Sequence, residues 1–186
     1  FTFAILLNSV GSVILQSVNY FEVSKAAAST LEGFKDLPIA IVSFLVASFL
    51  PRFGYKRSMI AALALVTVAS VAMVLLDSFW ATRLLFLCVG VSFALVKVSA
   101  YSTLGLITSD AKAHAGLMNL LEGLFMVGVL SGYWVFGYFI GQDEGNSGSW
   151  LNVYWALAAL SGLNIVILLV TSFDESGTKK EAAKLS

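Results

Sequence analysis

Long apolar runs, separated by short polar segments, constrain this chain more than any other feature of its sequence. Each run is about 20 residues long, the length an α-helix needs to cross the hydrocarbon core of a bilayer. Only 12% of the residues are charged, whereas a typical soluble domain is about 25% charged. The sequence therefore predicts an all-α integral membrane protein that crosses the bilayer several times. The predicted membrane-spanning helices cover about 1–21, 30–50, 59–76, 84–107, 116–140 and 150–173, before a charged tail at 174–186.

A basic hairpin, residues 49–59, lies between the second and third predicted helices. Pro51 lacks an amide donor, and Gly54 allows the backbone angles of a tight reversal. The cations of the hairpin are Arg52, Lys56 and Arg57. Short cytoplasmic loops carry an excess of Lys and Arg. The hairpin is therefore predicted to be cytoplasmic. The distribution of Lys and Arg over all the loops predicts that both ends of the chain are cytoplasmic too.

The first predicted helix carries a stripe of polar side chains. At 100° per residue, the stripe falls within one sector of about 120°. Its members are Asn8, Ser9, Ser12, Gln16, Asn19 and Tyr20. Such side chains are costly against lipid, so they must face protein or water. The stripe either lines a water-filled cavity or forms hydrogen bonds between helices.

Two ionisable residues lie inside the predicted spans. Lys97 is near the middle of the fourth helix, with Tyr101 on the same face, and Glu122 is in the fifth helix. A lysine in the membrane is costly unless it faces water or a partner. Lys97 either forms a structural ion pair with Glu122 or faces the cavity, where it would bind a carboxylate, phosphate or sulfonate. Glu122 is the candidate proton carrier, and a switchable Lys97–Glu122 pair is the coupling hypothesis.

Other features of the loops and helices concern gating and packing. Asp110, near the end of the fourth helix, is either a partner for the cations of the basic hairpin, forming a cytoplasmic latch, or an ordinary solvated loop residue. Two G-x-x-x-G pairs, Gly128–Gly132 and Gly137–Gly141, predict close approach of a neighbouring helix.

Several classes of function are disfavoured by the composition. A net charge of zero provides no basic field for nucleic acid. The sequence offers no His/Cys/Asp cluster for a metal and no Gly-rich phosphate loop. We therefore expect neither an enzyme nor a cofactor or metal. Because the chain begins with Phe1 inside an apolar run, rather than with Met, we expect a fragment.

The six predicted helices divide into two sets of three that run in opposite senses through the membrane. The leading helix of each set carries polar residues, namely the stripe in the first and Lys97 in the fourth. Inverted three-helix repeats nested in a six-helix half are known in secondary transporters. The topology therefore predicts one half of such a transporter.

The sequence of the hairpin resembles the loop between the second and third helices in the N-terminal half of major facilitator superfamily proteins. The family pattern is Gly-x-Leu-Ala-Asp-Arg-x-Gly-Arg-Lys, and this chain reads Ala47-Ser48-Phe49-Leu50-Pro51-Arg52-Phe53-Gly54-Tyr55-Lys56. Arg52, Gly54 and Lys56 match, whereas Ala47 replaces the leading glycine and Pro51 the acid. The run 36–44 and the Asn19-Tyr20 pair resemble the fucose and hexose permease branch. Proton-linked sugar members carry a carboxylate in the fourth helix, where this chain has Lys97.

The resemblance implies a secondary transporter that moves a small polar solute, a sugar or an organic anion, by alternating access, with proton coupling. It implies substrate binding by the cavity-lining residues: Asn8, Ser12, Gln16, Asn19, Tyr20, Lys97 and Tyr101. The expected partners are membrane lipid and a second six-helix half, or a second copy, in a bacterial inner membrane. The alternative is a non-transporting scaffold or assembly subunit in which the polar stripe holds helices together.

Overall fold

The structure is a computed structural model that describes residues 1–46, 49–108, 110–141 and 148–171. These residues form α-helices and a 3₁₀ turn, with no strand among them. The helices are α1 (Thr2–Asn8), α2 (Val10–Tyr20), α3 (Lys25–Val46), α4 (Leu50–Phe53), α5 (Tyr55–Leu76), α6 (Phe79–Ile107), α7 (Ala111–Gly141) and α8 (Val153–Val170), with the 3₁₀ turn at Ser149–Asn152. The predicted tail at 174–186 and motif residues Ala47 and Ser48 lie outside the described residues.

The long apolar helices have the length and composition of membrane spans. Tyr55–Leu76, Phe79–Ile107, Ala111–Gly141 and Ser149–Val170 each meet this test, and α1 with α2 meets it as a bent pair. α3 is as long as α5, with 22 residues. It carries Glu32, Lys35 and Asp36, however, and does not meet the same test. The all-α membrane fold is confirmed, and the second predicted span stays a prediction.

The first predicted helix is broken at Ser9. α1 and α2 meet at 51°, and the Ser9 hydroxyl donates to the Leu6 carbonyl at 2.7 Å. The Ser9 amide is shared between the Ile5 and Leu6 carbonyls, at 3.1 and 3.3 Å. A serine that bonds back to the preceding turn bends a helix. The polar stripe is therefore divided between two helices and does not run along one straight face.

α6 packs on α3 and α5, α5 also packs on α8, and α1 packs on α7. α6 comes close to the α3 backbone at Gly90, where an added Cβ would overlap the Lys35 carbonyl oxygen and lie 3.2 Å from the Pro38 Cβ. Pro38 lies inside α3. The small residue on α6 thus allows the two backbones to come together beside the proline.

The basic hairpin contains the one-turn helix α4, with Pro51 in its first turn. Gly54 ends α4 and precedes α5, with a φ of 95°. This region of backbone conformation favours glycine, as the sequence predicted for the reversal.

Candidate functional site

A cavity of about 250 Å³ lies between the start of the chain, α6 and α7. Ligand pockets usually measure about 300–1,000 Å³, so this one suits a small solute. Most of its lining is apolar, with three polar side chains. The lining residues are Phe1, Phe3, Phe93, Val96, Lys97, Ala100, Tyr101, Leu121, Glu122, Leu124 and Phe125.

α6 places Phe93, Lys97 and Tyr101 on one side of the cavity. The three residues are four positions apart, and residues at this spacing share a helix face. α7 supplies Glu122 and Phe125 from the other side, with the i, i+3 spacing that also shares a face. The fold therefore brings the two ionisable residues of the predicted site, Lys97 and Glu122, into one cavity.

The Lys97 ammonium lies between two aromatic rings. Its Nζ is 5.7 Å from the Phe93 ring centroid and 5.6 Å from the Tyr101 ring centroid, within the range of a cation–π contact. Among the described residues, no ion pair joins Lys97 to Glu122. Lys97 and Glu122 are both exposed, and both line the cavity.

The Tyr101 hydroxyl donates a hydrogen bond to Oε1 of Glu122. Tyr101 is half-buried, so its ring is held in place while its hydroxyl reaches α7. The phenol occupies one acceptor site of the carboxylate. The sequence had placed Tyr101 on the face of Lys97, but it gave no signal of this contact with Glu122.

The stripe residues of the first span do not line this cavity. Asn8 donates from Nδ2 to the Val129 carbonyl of α7 at 3.2 Å, so it connects two helices. Gln16 is 8% exposed. Ser12 is half-buried, and Asn19 is exposed. The residues of this span that line the cavity are Phe1 and Phe3.

Tyr20 lies at the end of α2, against a different set of residues. Its hydroxyl donates to Oδ2 of Asp77, at the end of α5, at 2.8 Å. Its ring packs edge-on against Phe21 and Trp150, with centroid distances of 4.9 and 6.3 Å. A Cβ on Gly148, whose φ is 77°, would also meet the Tyr20 ring. The predicted cavity-lining residue Tyr20 therefore joins the ends of three helical segments.

The residues predicted to form the cytoplasmic gate have separate contacts. Lys56 donates from Nζ to the Leu169 and Thr171 carbonyls at 3.3 and 2.8 Å, at the end of α8. Asp110 accepts from the Ala113 amide at 2.8 Å and so caps α7. Arg52 and Arg57 are exposed. The latch between Asp110 and the basic hairpin stays a prediction.

The two G-x-x-x-G pairs of α7 differ in their surroundings. A Cβ on Gly128 would lie 2.7 Å from the Ala4 Cβ, and one on Gly132 would lie 3.5 Å from the Ile5 Cα. Gly137 and Gly141 have no such neighbour within 4 Å. The first pair therefore accommodates α1, whereas the second pair has no comparable close contact in the described part of the chain.

Sequence reasoning assigned no role in the site to its phenylalanines. Phe3 and Phe93 have ring centroids 6.0 Å apart, and Phe93 and Phe125 have centroids 5.9 Å apart. Phenylalanines inside apolar runs give no contrast with their surroundings. The position of Phe125, three residues after Glu122, was the available signal.

A family model described as Major Facilitator Superfamily matches residues 1–185 of the chain. The match includes every helix that lines the cavity. No curated protein and no solved structure gave a significant match.

Proposed function

Because the chain belongs to the major facilitator superfamily, we propose that it moves a small polar solute, a sugar or an organic anion, by alternating access and with proton coupling. Members of this superfamily are transporters, and the apolar helices make the chain an integral membrane protein. The solute site is the cavity between α6 and α7, with Lys97 and Tyr101 as binding residues and Glu122 as the coupling residue.

One observation supports this proposal above the others: Lys97 and Glu122 lie in the same cavity without forming an ion pair among the described residues. Ionisable groups in membrane spans are expensive, and they mark substrate or ion pathways. A structural ion pair would have explained both residues without transport. Their separation instead leaves the ammonium available to a solute.

The proposed proton coupling depends on the charge of the Glu122 carboxyl. The Glu122 carboxyl accepts the Tyr101 hydrogen bond. When a proton binds, the carboxyl loses its charge, and its interactions with Tyr101 and Lys97 change. A switch of this kind links proton uptake to the charge of the cavity, as symport requires.

The proposal extends to the orientation and assembly of the chain. The basic hairpin and both ends face the cytoplasm, the membrane is a bacterial inner membrane, and a second six-helix half or a second copy completes the cavity. Arg52, Lys56, Arg57 and Asp110 form the cytoplasmic gate around the reversal at Gly54. The excess of Lys and Arg in the predicted cytoplasmic loops supports this orientation.

A non-transporting scaffold is the second candidate function, and two contacts favour it. Asn8 bonds to the Val129 carbonyl, and Asn164 of α8 donates from Nδ2 to the Thr2 hydroxyl at 3.1 Å. Polar bonds between helices hold membrane bundles together. They account for Asn8 in the polar stripe, but they do not account for Lys97 or Glu122.

Cysteine accessibility in native membranes separates the two functions. Ala100→Cys lines the cavity, and the background is Cys88→Ala because the native thiol is a free, buried cysteine. Val68→Cys is the control, since Val68 is exposed on the apolar helix α5 and should face lipid. A membrane-impermeant thiol reagent is applied from each side of the membrane.

For a transporter, we expect labelling at Ala100→Cys that changes when solute is added, and none at Val68→Cys. Absence of labelling at Ala100→Cys from both sides would contradict the transporter and favour a packed scaffold. Labelling at both positions to the same extent would also count against the transporter, because a position expected to face lipid would then be as accessible as the proposed cavity.

A further inference from the structure

Three phenylalanine rings form an aromatic wall in the cavity. Phe93 lies between Phe3 and Phe125, with centroid distances of 6.0 and 5.9 Å. Distances of this size are typical of packed aromatic pairs. Val96, Leu121 and Leu124 add aliphatic surface next to the wall. A solute in this cavity therefore contacts mostly apolar atoms.

The polar groups of the cavity are few, and two of the three already bind each other. Tyr101 and Glu122 share a hydrogen bond, whereas the Lys97 ammonium has only ring faces as described contacts. An ammonium has three donors and no acceptor. The group that this cavity offers to a solute is therefore a cation without an acceptor in the described part of the chain.

A sugar fits these surroundings poorly. Its hydroxyls lie all around the ring, and each loses hydrogen bonds to water if it meets no partner in the site. The amides that the sequence suggested for such a solute are elsewhere, because Asn8 binds the Val129 carbonyl and Gln16 is buried outside the cavity. An apolar body with one anionic group meets the lining without this loss.

We infer that the solute is a small amphipathic monoanion, whose carboxylate binds the Lys97 ammonium while its apolar, preferably aromatic, body packs on Phe93 and Phe125. This inference rests on the proposed transport function. A volume of about 250 Å³ suits a molecule with one ring.

The Glu122 carboxyl determines how many protons bind together with the anion. An ionised Glu122 repels an anion at Lys97, because both side chains line the same cavity and like charges repel each other. A protonated Glu122 removes this repulsion. The anion therefore enters together with one proton, and the loaded cavity gains no net charge.

The experiment measures binding of radiolabelled benzoate to the full chain in lipid nanodiscs, with unlabelled competitors. Cyclohexanecarboxylate keeps the charge and the apolar ring, benzyl alcohol loses the charge, and D-glucose is a neutral polyol. We expect the two carboxylates to compete within a few-fold of each other. The two neutral molecules should be at least about tenfold weaker, the factor that corresponds to one charge-assisted hydrogen bond.

Substitutions identify the groups responsible. Lys97→Met removes the charge at similar length and should weaken benzoate binding at least about tenfold, whereas Lys97→Arg should retain it. Phe125→Ala should weaken benzoate binding and leave the discrimination against benzyl alcohol intact. Lys112→Met is the control, because Lys112 is exposed in the first turn of α7, outside the cavity.

The inference would be overturned by benzoate binding that survives Lys97→Met, or by D-glucose binding as tightly as benzoate. Failure of benzoate to bind while Ala100→Cys is labelled would also overturn it, but would leave the transporter in place. Failure of labelling at Ala100→Cys would contradict the proposed function itself. The two proposals can therefore fail separately.

Discussion

The Tyr101 hydroxyl donates a hydrogen bond to the Glu122 carboxylate and so connects α6 to α7 at the edge of the cavity. α6 packs more extensively on α3 and α5 than on α7. The bond therefore joins two helices that share little other surface. A change at Glu122 can alter this contact without breaking a large packed interface.

The first prediction concerns Glu122→Gln. The glutamine oxygen can still accept from Tyr101, but the side chain cannot take up a proton. We expect solute uptake to lose its dependence on pH, as measured in membrane vesicles. Glu32→Gln is the matched control, since Glu32 is exposed on α3 and lies outside the cavity. An unchanged pH profile for Glu122→Gln would remove Glu122 from the coupling mechanism.

The second prediction concerns the glycines of α7. In Gly128→Ala, the new Cβ would lie 2.7 Å from the Ala4 Cβ and 3.0 Å from the Phe1 carbonyl oxygen. We expect the free energy of unfolding to fall by about 1–3 kcal/mol, the usual cost of overpacking. Denaturant unfolding in micelles provides the measurement.

Gly137→Ala is the matched control on the same helix. No atom outside the local backbone lies within 4 Å of the new Cβ, and alanine is the better helix former by up to about 1 kcal/mol. We expect unchanged or slightly higher stability. Equal destabilisation by both substitutions would show that close packing on α1 is not what Gly128 provides.

The sequence predicted the all-α membrane fold and the family, because both depend on apolar runs and on a short motif. The helices extend beyond the apolar runs from which the membrane spans were predicted. α5 begins at Tyr55 and α7 at Ala111, whereas the apolar runs suggested 59 and 116. The difference arises because helices continue through polar residues at the membrane surface, where capping groups such as the Asp110 carboxylate satisfy the first amides.

The two residues that the sequence singled out by their energetic cost lie together in the structure. Lys97 and Glu122 stood out because charge inside a span is expensive, and the fold brings both into one cavity. The polar stripe was a weaker guide, since the bend of 51° between α1 and α2 rotates its two parts relative to each other. The bend lies where the Ser9 hydroxyl donates to the Leu6 carbonyl. The spacing of polar residues in the sequence does not reveal this hydrogen bond.

The third prediction concerns the connection between the basic hairpin and α8. Lys56 binds the Leu169 and Thr171 carbonyls, where the negative end of the helix dipole favours a cation. We expect Lys56→Met to lower the stability of the last turn of α8 by about 0.3–1 kcal/mol. Hydrogen exchange of the amides in that turn would detect the loss.

Arg57→Met is the control for this substitution, because it removes a neighbouring exposed cation and leaves Lys56 in place. Exchange in the last turn of α8 should stay at the wild-type rate in this variant. If both variants accelerated exchange to the same extent, the effect would come from the charge of the hairpin and not from the two hydrogen bonds.

The fourth prediction concerns Tyr20 and Asp77, which join the end of α2 to the end of α5 at 2.8 Å. Tyr20→Phe removes the hydroxyl but keeps the ring on Phe21 and Trp150. Asp77→Gly removes the carboxylate and tolerates the φ of 38° at this position. A double-mutant cycle should give a coupling energy of about 0.5–1.5 kcal/mol, measured by unfolding in micelles. A coupling energy of zero would mean that the contact does not hold the two helix ends together.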